Sequence, residues 1–311
     1  MKRQKKTKKK KSWLKIISIT LLIFLAAGGA YAYSVYHSLT KAVNTMHTPI
    51  EDRPISEKRQ KEIAYAQKEP FSVLILGVDE RDGDSGRSDT MIVLTVNPDT
   101  NSVKMLSIPR DTRTDIIGKN KVDKINHAYA FGGVKMSMDT VENFLDIPLD
   151  YYVKINMEGF QDIVDSVGGV EVNNDLDFSY GGDHFPIGKI KLDGAEALNF
   201  SRMRYEDPRG DFGRQYRQRE IIQGVINKGA SFATLTNYST IFDALSKNIE
   251  TNLTFSQMND IQKHYRTAAK KVEQMEMKST GKRIDGIYYG IVSNEEKQRI
   301  HDELKAHLEL K

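Results

Sequence analysis

The chain has no cysteine, one tryptophan (Trp13) and only eight prolines in 311 residues. Without thiols there is no disulfide staple, no zinc–thiolate centre and no cysteine nucleophile, so stability must come from a packed core. Other absences narrow the chemistry. No G-x-x-x-x-G-K-[ST] string occurs, which removes the P-loop proteins. A G-x-S-x-G elbow is missing, as is an H-E-x-x-H pair among the seven scattered histidines, which argues against a serine hydrolase and a zinc peptidase. His127, in the apolar stretch Ile125–Phe131, reads as a structural histidine. There are no repeats, and nothing of low complexity beyond the N-terminal tail.

That tail is distinctive. Eight of the first eleven residues are Lys or Arg, and the apolar segment Trp13–Tyr36 follows. Its uncharged core, Ile16–Tyr36, is 21 residues long, roughly 30 Å as a helix and enough for a bilayer core. Trp13 marks one interface; Tyr31, Tyr33 and Tyr36 mark the other. The expectation is a single-pass protein: a cytoplasmic tail over residues 1–12, an anchor over 13–36, and everything beyond extracytoplasmic at the cell membrane. Ala30-Tyr31-Ala32 also fits a cleavage site, but the apolar run is too long and too aromatic for a signal peptide. Nine of the 46 basic residues and none of the 42 acidic ones lie in residues 1–36, which leaves the remainder at −5. The pI of 8.9 therefore belongs to the tail. It suits anionic membrane lipid, and no nucleic acid is expected as a partner.

Residues 37–69 are polar, highly charged and broken by Pro49 and Pro54, which predicts a partly helical stalk. Residues 70–311 then form one domain, long enough for a core without staples. The apolar runs Phe71–Gly77, Met91–Val96 and Val103–Ile108 read as strands, the last two forming a hairpin around Asn97-Pro98-Asp99-Thr100-Asn101. Helices are expected at Lys124–Phe131 and Val134–Leu145, divided by Gly132-Gly133, then a strand at Tyr151–Ile155 and a helix at Met157–Val167 stopped by Gly168-Gly169. Short strands follow at Val170–Val172 and Lys189–Leu192, separated by a loop over 173–188, then a helix at Gly194–Ser201. A long helix capped by Asp211 runs to about Lys228, and the remainder is expected to be mainly helical apart from a strand at Gly286–Val292. Such alternation gives an α/β fold with a mixed central sheet.

The chemistry lies in three charged stretches at the ends of apolar runs. Asp79-Glu80-Arg81 and Gly86-Arg87-Ser88-Asp89-Thr90 flank one loop, and Ile108-Pro109-Arg110-Asp111 ends a strand. The third, residues 202–220, contains Arg202, Arg204, Arg209, Arg214, Arg217 and Arg219 against four acids. Carboxylates on separate strand ends can hold a hard cation, and guanidinium forks clamp phosphate. Arg214, Arg217 and Gln218 share one helical face that continues into Ile221, so their forks border the core. Carboxylates with surplus arginines in one cleft predict a phosphorylated substrate, with a pyrophosphate as the expected form.

Six ordered strings then resemble one family, from about residue 71 to 231: Val73–Asp89; Ser107-Ile108-Pro109-Arg110-Asp111-Thr112; Lys124-Ile125-Asn126-His127-Ala128-Tyr129; Val164–Val170; Leu192-Asp193-Gly194 with Ala197-Leu198; and Gly210-Asp211-Phe212-Gly213-Arg214-Gln215 with Arg217-Gln218. They are similar to the LytR–CpsA–Psr proteins of Gram-positive bacteria. The resemblance implies an α/β/α sandwich with a lipid-accepting cavity. It also implies an enzyme that moves a polyprenyl-pyrophosphate-linked glycopolymer, wall teichoic acid first among them, onto peptidoglycan with Mg²⁺ assistance. By the same resemblance Asp79 and Asp89 hold the magnesium, and Arg81, Arg110, Arg202, Arg204, Arg214, Arg217 and Gln218 contact pyrophosphate. A base is needed for the acceptor hydroxyl; Asp111 and Asp211, each beside an arginine that keeps it ionised, are the candidates. Arg209 and Arg219 fall outside the clamp and are expected to tolerate alanine. Two other readings are a non-catalytic scaffold for lipid-linked polymer and a membrane-bound transcription attenuator; the anchor disfavours the second.

Overall fold

Phe71–Val78 (β1) is apolar on both faces, and the fold is built outward from it. In the computed structural model, which describes residues 7–51, 53, 56, 58–59, 61–79, 86–229 and 245–310, β1 pairs antiparallel with Ser88–Asn97 (β2) and parallel with Tyr151–Ile155 (β6). β2 turns into Ser102–Ser107 (β3) through the expected turn, where Asn97 Oδ1 accepts from the amides of Asp99 and Thr100. Val272–Met275 (β12) extends the sheet beside β3, and Ile249–Thr251 (β11) closes the other edge, giving the order β11-β6-β1-β2-β3-β12.

Side chains of a strand alternate between faces, so β1 divides the core. Leu74, Leu76 and Val78 pack with helices His127–Leu145 (α2) and Asn294–His307 (α7). Phe71 and Val73 face Phe255–Tyr265 (α6), and Asp211–Gly229 (α5) lies over the same face farther along. Helices on both faces of a mixed sheet make the expected α/β/α sandwich. A second cluster joins Met157–Ser166 (α3), Gly194–Arg202 (α4) and α5 to two small hairpins: Val170–Asn174 (β7) with Gly188–Leu192 (β10), and Phe178–Tyr180 (β8) with Asp183–Phe185 (β9). Asp193 starts α4 with a reciprocal capping box to Glu196.

Several expectations are corrected. Gly132 and Gly133 do divide a helix, as a kink with Gly133 at φ 63°, but the helix begins at His127. Residues 113–124 form the hairpin Arg113–Ile116 (β4) and Lys121–Lys124 (β5) instead. The expected loop over 173–188 contains β8 and β9, where Asp and Gly mark tight turns between very short strands. Among the described residues the C-terminal part keeps the expected strand, as Ile287–Ile291 (β14), and adds three strands that were not expected: β11, β12 and Thr280–Ile284 (β13), which pairs with β14. The described residues of the expected stalk, 37–69, make contacts with the domain. Helix Thr7–Met46 (α1) continues through Tyr36 and buries Ala42, Val43 and Met46 on the domain. Arg53 then reaches Asp139 and Glu142, and Arg59 reaches Asp150. Those charges looked solvated because their acidic partners lie 86 to 91 residues away in sequence.

Candidate functional site

The C-terminal ends of β1 and β6 open, with α3, α4 and α5, into a cavity of about 430 Å³. A register irregularity at Gly77/Val78 turns the end of β1 and leaves Asp79 on the cavity wall, opposite Asp89 and Thr90 at the start of β2. Asn156, which caps α3 by accepting from the Gly159 amide, stands beside them. Arg202 ends α4 at the rim, and Arg214 and Gln218 reach in from one face of α5. Deeper, the lining is apolar: Ile75, Ile155, Met157, Phe160, Leu198 and Ile222. The cavity thus has a charged mouth and a greasy interior.

At the mouth the charges interlock. Arg110 donates to Asp89 at 2.7 Å. Burial works against its positive charge, but Asp89, with Asp211 and Asp111 nearby, holds its pKa above the usual guanidinium value. Arg214 contacts Asp211 at 2.6 Å, and Arg204 is 3.9 Å from the same carboxylate. Arg214's pKa is pushed down, mainly by burial; Asp211 opposes this, while Arg110 and Arg204 add repulsion. A guanidinium that is desolvated and crowded by like charges gains most from an arriving anion. Asp111 lies next to this group but is tied to Lys124 at 3.0 Å.

Unsatisfied polar atoms mark the same spot. Among the described residues, five buried side-chain atoms lack hydrogen-bond geometry to any partner: Ser88 Oγ, Thr112 Oγ1, Asn126 Oδ1, Asp211 Oδ1 and Arg214 Nε. All belong to segments meeting at Asp89, Arg110 and Arg214; the Asn126 amide, for instance, donates to the Arg110 carbonyl. Buried atoms of this kind are rare, and those of Asp211 and Arg214 leave hydrogen-bonding capacity at the mouth that a polar ligand can use.

The structure therefore brings Asp79, Asp89, Arg110, Arg202, Arg204, Arg214, Gln218 and Asp211 to one mouth, with Asp111 at its edge. Arg81 lies outside the described residues. Arg217 is not at the mouth. It is fully buried, donates to Asp207 at 2.6 Å and to the Phe200 carbonyl, and also bonds the Met203 carbonyl. Arg217 and Arg209 hold Asp207 down to about pKa 2 against the burial that would raise it. The expectation that Arg209 and Arg219 are dispensable also changes. Arg209 braces Asp207 and Asp175, and Arg219 is buried against Ser107 and Gln274. Sequence reasoning missed Asn156, Phe160 and Tyr180; only Asn156 gave a signal, as a capping residue directly after a strand end.

A second apolar cavity, about 360 Å³, continues along the same sheet face. Val73 and Val153, the next inward residues on β1 and β6, line it with Ile226, one turn beyond Ile222 on α5, and with Leu253, Ile261 and Tyr265.

Known proteins share this arrangement. The LytR_cpsA_psr family profile matches residues 33–306. A Bacillus subtilis protein named polyisoprenyl-teichoic acid–peptidoglycan teichoic acid transferase TagU is 53% identical over 309 residues, covering 99% of this chain and 100% of that protein. The crystal structure of B. subtilis TagU superposes with a TM-score of 0.64 at 54% identity, covering 78% of this chain and 99% of that one. A family protein, YwtF (TagT), with bound octaprenyl pyrophosphate lipid superposes with a TM-score of 0.70 at 31% identity, covering 85% of this chain and 100% of that one. With a profile match over most of its length and half its residues shared with a full-length relative, the chain belongs to the LytR–CpsA–Psr family.

Proposed function

We propose that this protein transfers a glycopolymer from a polyprenyl pyrophosphate carrier to peptidoglycan, as its relatives' names describe, with wall teichoic acid as the polymer. The observation that carries this reading is the joining of a cationic mouth to an apolar channel: one end suits a pyrophosphate, the other an isoprenoid tail. Octaprenyl pyrophosphate bound to TagT is a ligand of that shape. The apolar helix Ile17–Met46 supports a retained membrane anchor, and its basic flank supports a cytoplasmic N-terminus with the domain outside, where peptidoglycan lies.

In this mechanism Arg110, Arg204 and Arg214, with Arg202 and Gln218 at the rim, bind the pyrophosphate oxygens and neutralise charge as it shifts. The acceptor hydroxyl, on muramic acid, attacks the glycan-side phosphorus, forming a phosphodiester. The bridging P–O bond breaks, and polyprenyl phosphate leaves with the bridging oxygen and its electron pair. Asp211 is the better placed of the two candidate bases, because it touches Arg214, which lines the cavity, whereas Asp111 is held by Lys124. No nucleotide is required, since the pyrophosphate bond supplies the driving force.

The donor set also fits Mg²⁺. Asp79 and Asp89 both line the cavity, and Mg²⁺ takes one or two carboxylates and completes its shell with phosphate oxygens and water. When bound, it would add positive charge at the pyrophosphate. The test is to incubate the full-length protein in detergent with polyprenyl-pyrophosphoryl glycan, a peptidoglycan oligomer and Mg²⁺. The expected product has the mass of acceptor plus glycan plus one phosphate. Tight binding of the donor with no such product would favour the scaffold.

A further inference from the structure

The end of α1 is packed on the domain, where the sequence predicts a stalk. α1 runs unbroken from Thr7 to Met46, and its last turn is buried, with Ala42 3% and Val43 2% exposed. The chain then locks onto the edge strand: His47 bridges to Thr251, Thr48 donates to the Thr251 carbonyl, and Tyr152 Oη donates to the Thr48 carbonyl. Tyr36, at the end of the apolar segment, meets Phe255 edge-on at 5.5 Å between ring centroids. From Tyr36 to Ala42 is six residues, about 9 Å of helix, so only a short helical span separates the apolar segment from the domain.

The same segment borders the second apolar cavity. Leu253, whose carbonyl bonds His47 Nδ1, lines the second cavity, and so do Ile261, Gln262, Tyr265 and Ala269 farther along α6 and beyond. Only Thr254 lies between Leu253 in the cavity wall and Phe255, which meets Tyr36 of α1. Gln262 is exposed at the rim. From Gly77 at the charged mouth to Phe71 at this end, β1 spans six residues, about 20 Å. An extended isoprenoid chain of eight units, as in the lipid bound to TagT, is longer than that.

We infer that the distal cavity is a portal through which the isoprenoid tail passes directly between bilayer and channel, and that the packed α1 joint keeps it at the membrane surface. The identity of the lipid rests on the transferase reading above; the portal rests on the joint and the cavity. Carrying the tail through water would expose its whole apolar surface, and a portal pressed to the membrane avoids that cost.

The test uses the full-length protein in phosphatidylcholine vesicles carrying a long-chain polyprenyl-pyrophosphoryl glycan, against a short-chain, water-soluble analogue. One variant carries a flexible Gly/Ser insert of about 12 residues between Ser38 and Leu39, which frees the domain by roughly 20 Å. Another, Ala269→Trp, narrows the cavity. Both should lower turnover of the vesicle substrate at least about tenfold, by loss of local concentration in the insert, while turnover of the short analogue stays unchanged. A photoreactive polyprenyl phosphate in the vesicles gives a readout independent of catalysis, and should label the segment 253–269 in the wild type far more than in the insert variant. Equal labelling, or equal loss on both substrates, overturns the portal. Labelling as expected without turnover in the wild type leaves the portal standing and removes the transferase reading.

Discussion

Arg214 and Arg217 stand three residues apart on α5 and do different work. Arg214 lines the cavity with an unpartnered Nε, whereas Arg217 is walled in with Asp207. Arg214→Ala should slow transfer roughly 10- to 100-fold, since a charged hydrogen bond is worth about 1.5–3 kcal/mol, while the melting temperature changes little. Arg214→Lys should be nearly as slow, because an ammonium cannot reproduce the planar fork. Arg217→Ala should instead cost about 3–5 kcal/mol of stability by stranding the buried Asp207 carboxylate; chemical denaturation separates the two, and a stable, inactive Arg217→Ala protein would return Arg217 to the site. The sequence placed both arginines correctly on one helical face but could not say which had a partner. Asp207 lies ten residues away across an irregular turn, which no periodicity describes.

His307 supplies a pH effect unrelated to the site. Its ring bonds Thr95 and Ser102, and burial, with Lys104 adding repulsion, pushes its pKa down to about 4. An unfolded histidine titrates near 6.5, so between pH 6.5 and 4 the unfolded chain binds the extra proton. The contribution is complete above 6.5 and is lost as pH falls towards 4, about 3 kcal/mol in all. His307→Gln should flatten the urea-denaturation profile across that window; an unchanged slope would show that the ring is not buried neutral.

At the scale of elements, α5 reaches its place only because residue 213 has no side chain. A Cβ there would lie 1.9 Å from Asp207 Oδ2, so Gly213→Ala should push the first turn of α5 off the Asp207–Arg217 pair. The expected loss is about 1–3 kcal/mol from overpacking, with transfer falling as Arg214 shifts. A melting temperature equal to wild type would contradict this. Most long elements could be read directly, because β1–β3, β6, α3, α4 and α5 carry clean apolar patterns and conventional caps. The misses share one cause. β4, β5, β8, β9, β11 and β13 have three to five residues each, too few to show a period, and they exist because a partner strand lies within reach. The Gly132-Gly133 kink was legible because Gly133 occupies a conformation that other residues rarely adopt.

At the scale of the molecule, the apolar helix, the distal cavity and the charged mouth follow one another from the N-terminus to the sheet ends. The anchor was evident from composition, and so was the charge asymmetry between tail and domain. The packed joint was not, because Arg53 and Arg59 looked solvated until their partners were in view. If Asp79 and Asp89 hold Mg²⁺, EDTA should stop transfer and added Mg²⁺ restore it. Asp79→Ala and Asp89→Ala should each fall to the EDTA level while remaining folded; full activity in EDTA would remove the metal.

The central claim is phosphoryl transfer from the cationic mouth to a glycan hydroxyl, and polyprenyl phosphate release reports it most directly. With labelled polyprenyl-pyrophosphoryl glycan, release should require the peptidoglycan acceptor, match the glycan attached one for one, and slow at least about tenfold in Arg214→Ala. Release that ignores the acceptor, or that proceeds at the wild-type rate without Arg214, would contradict it.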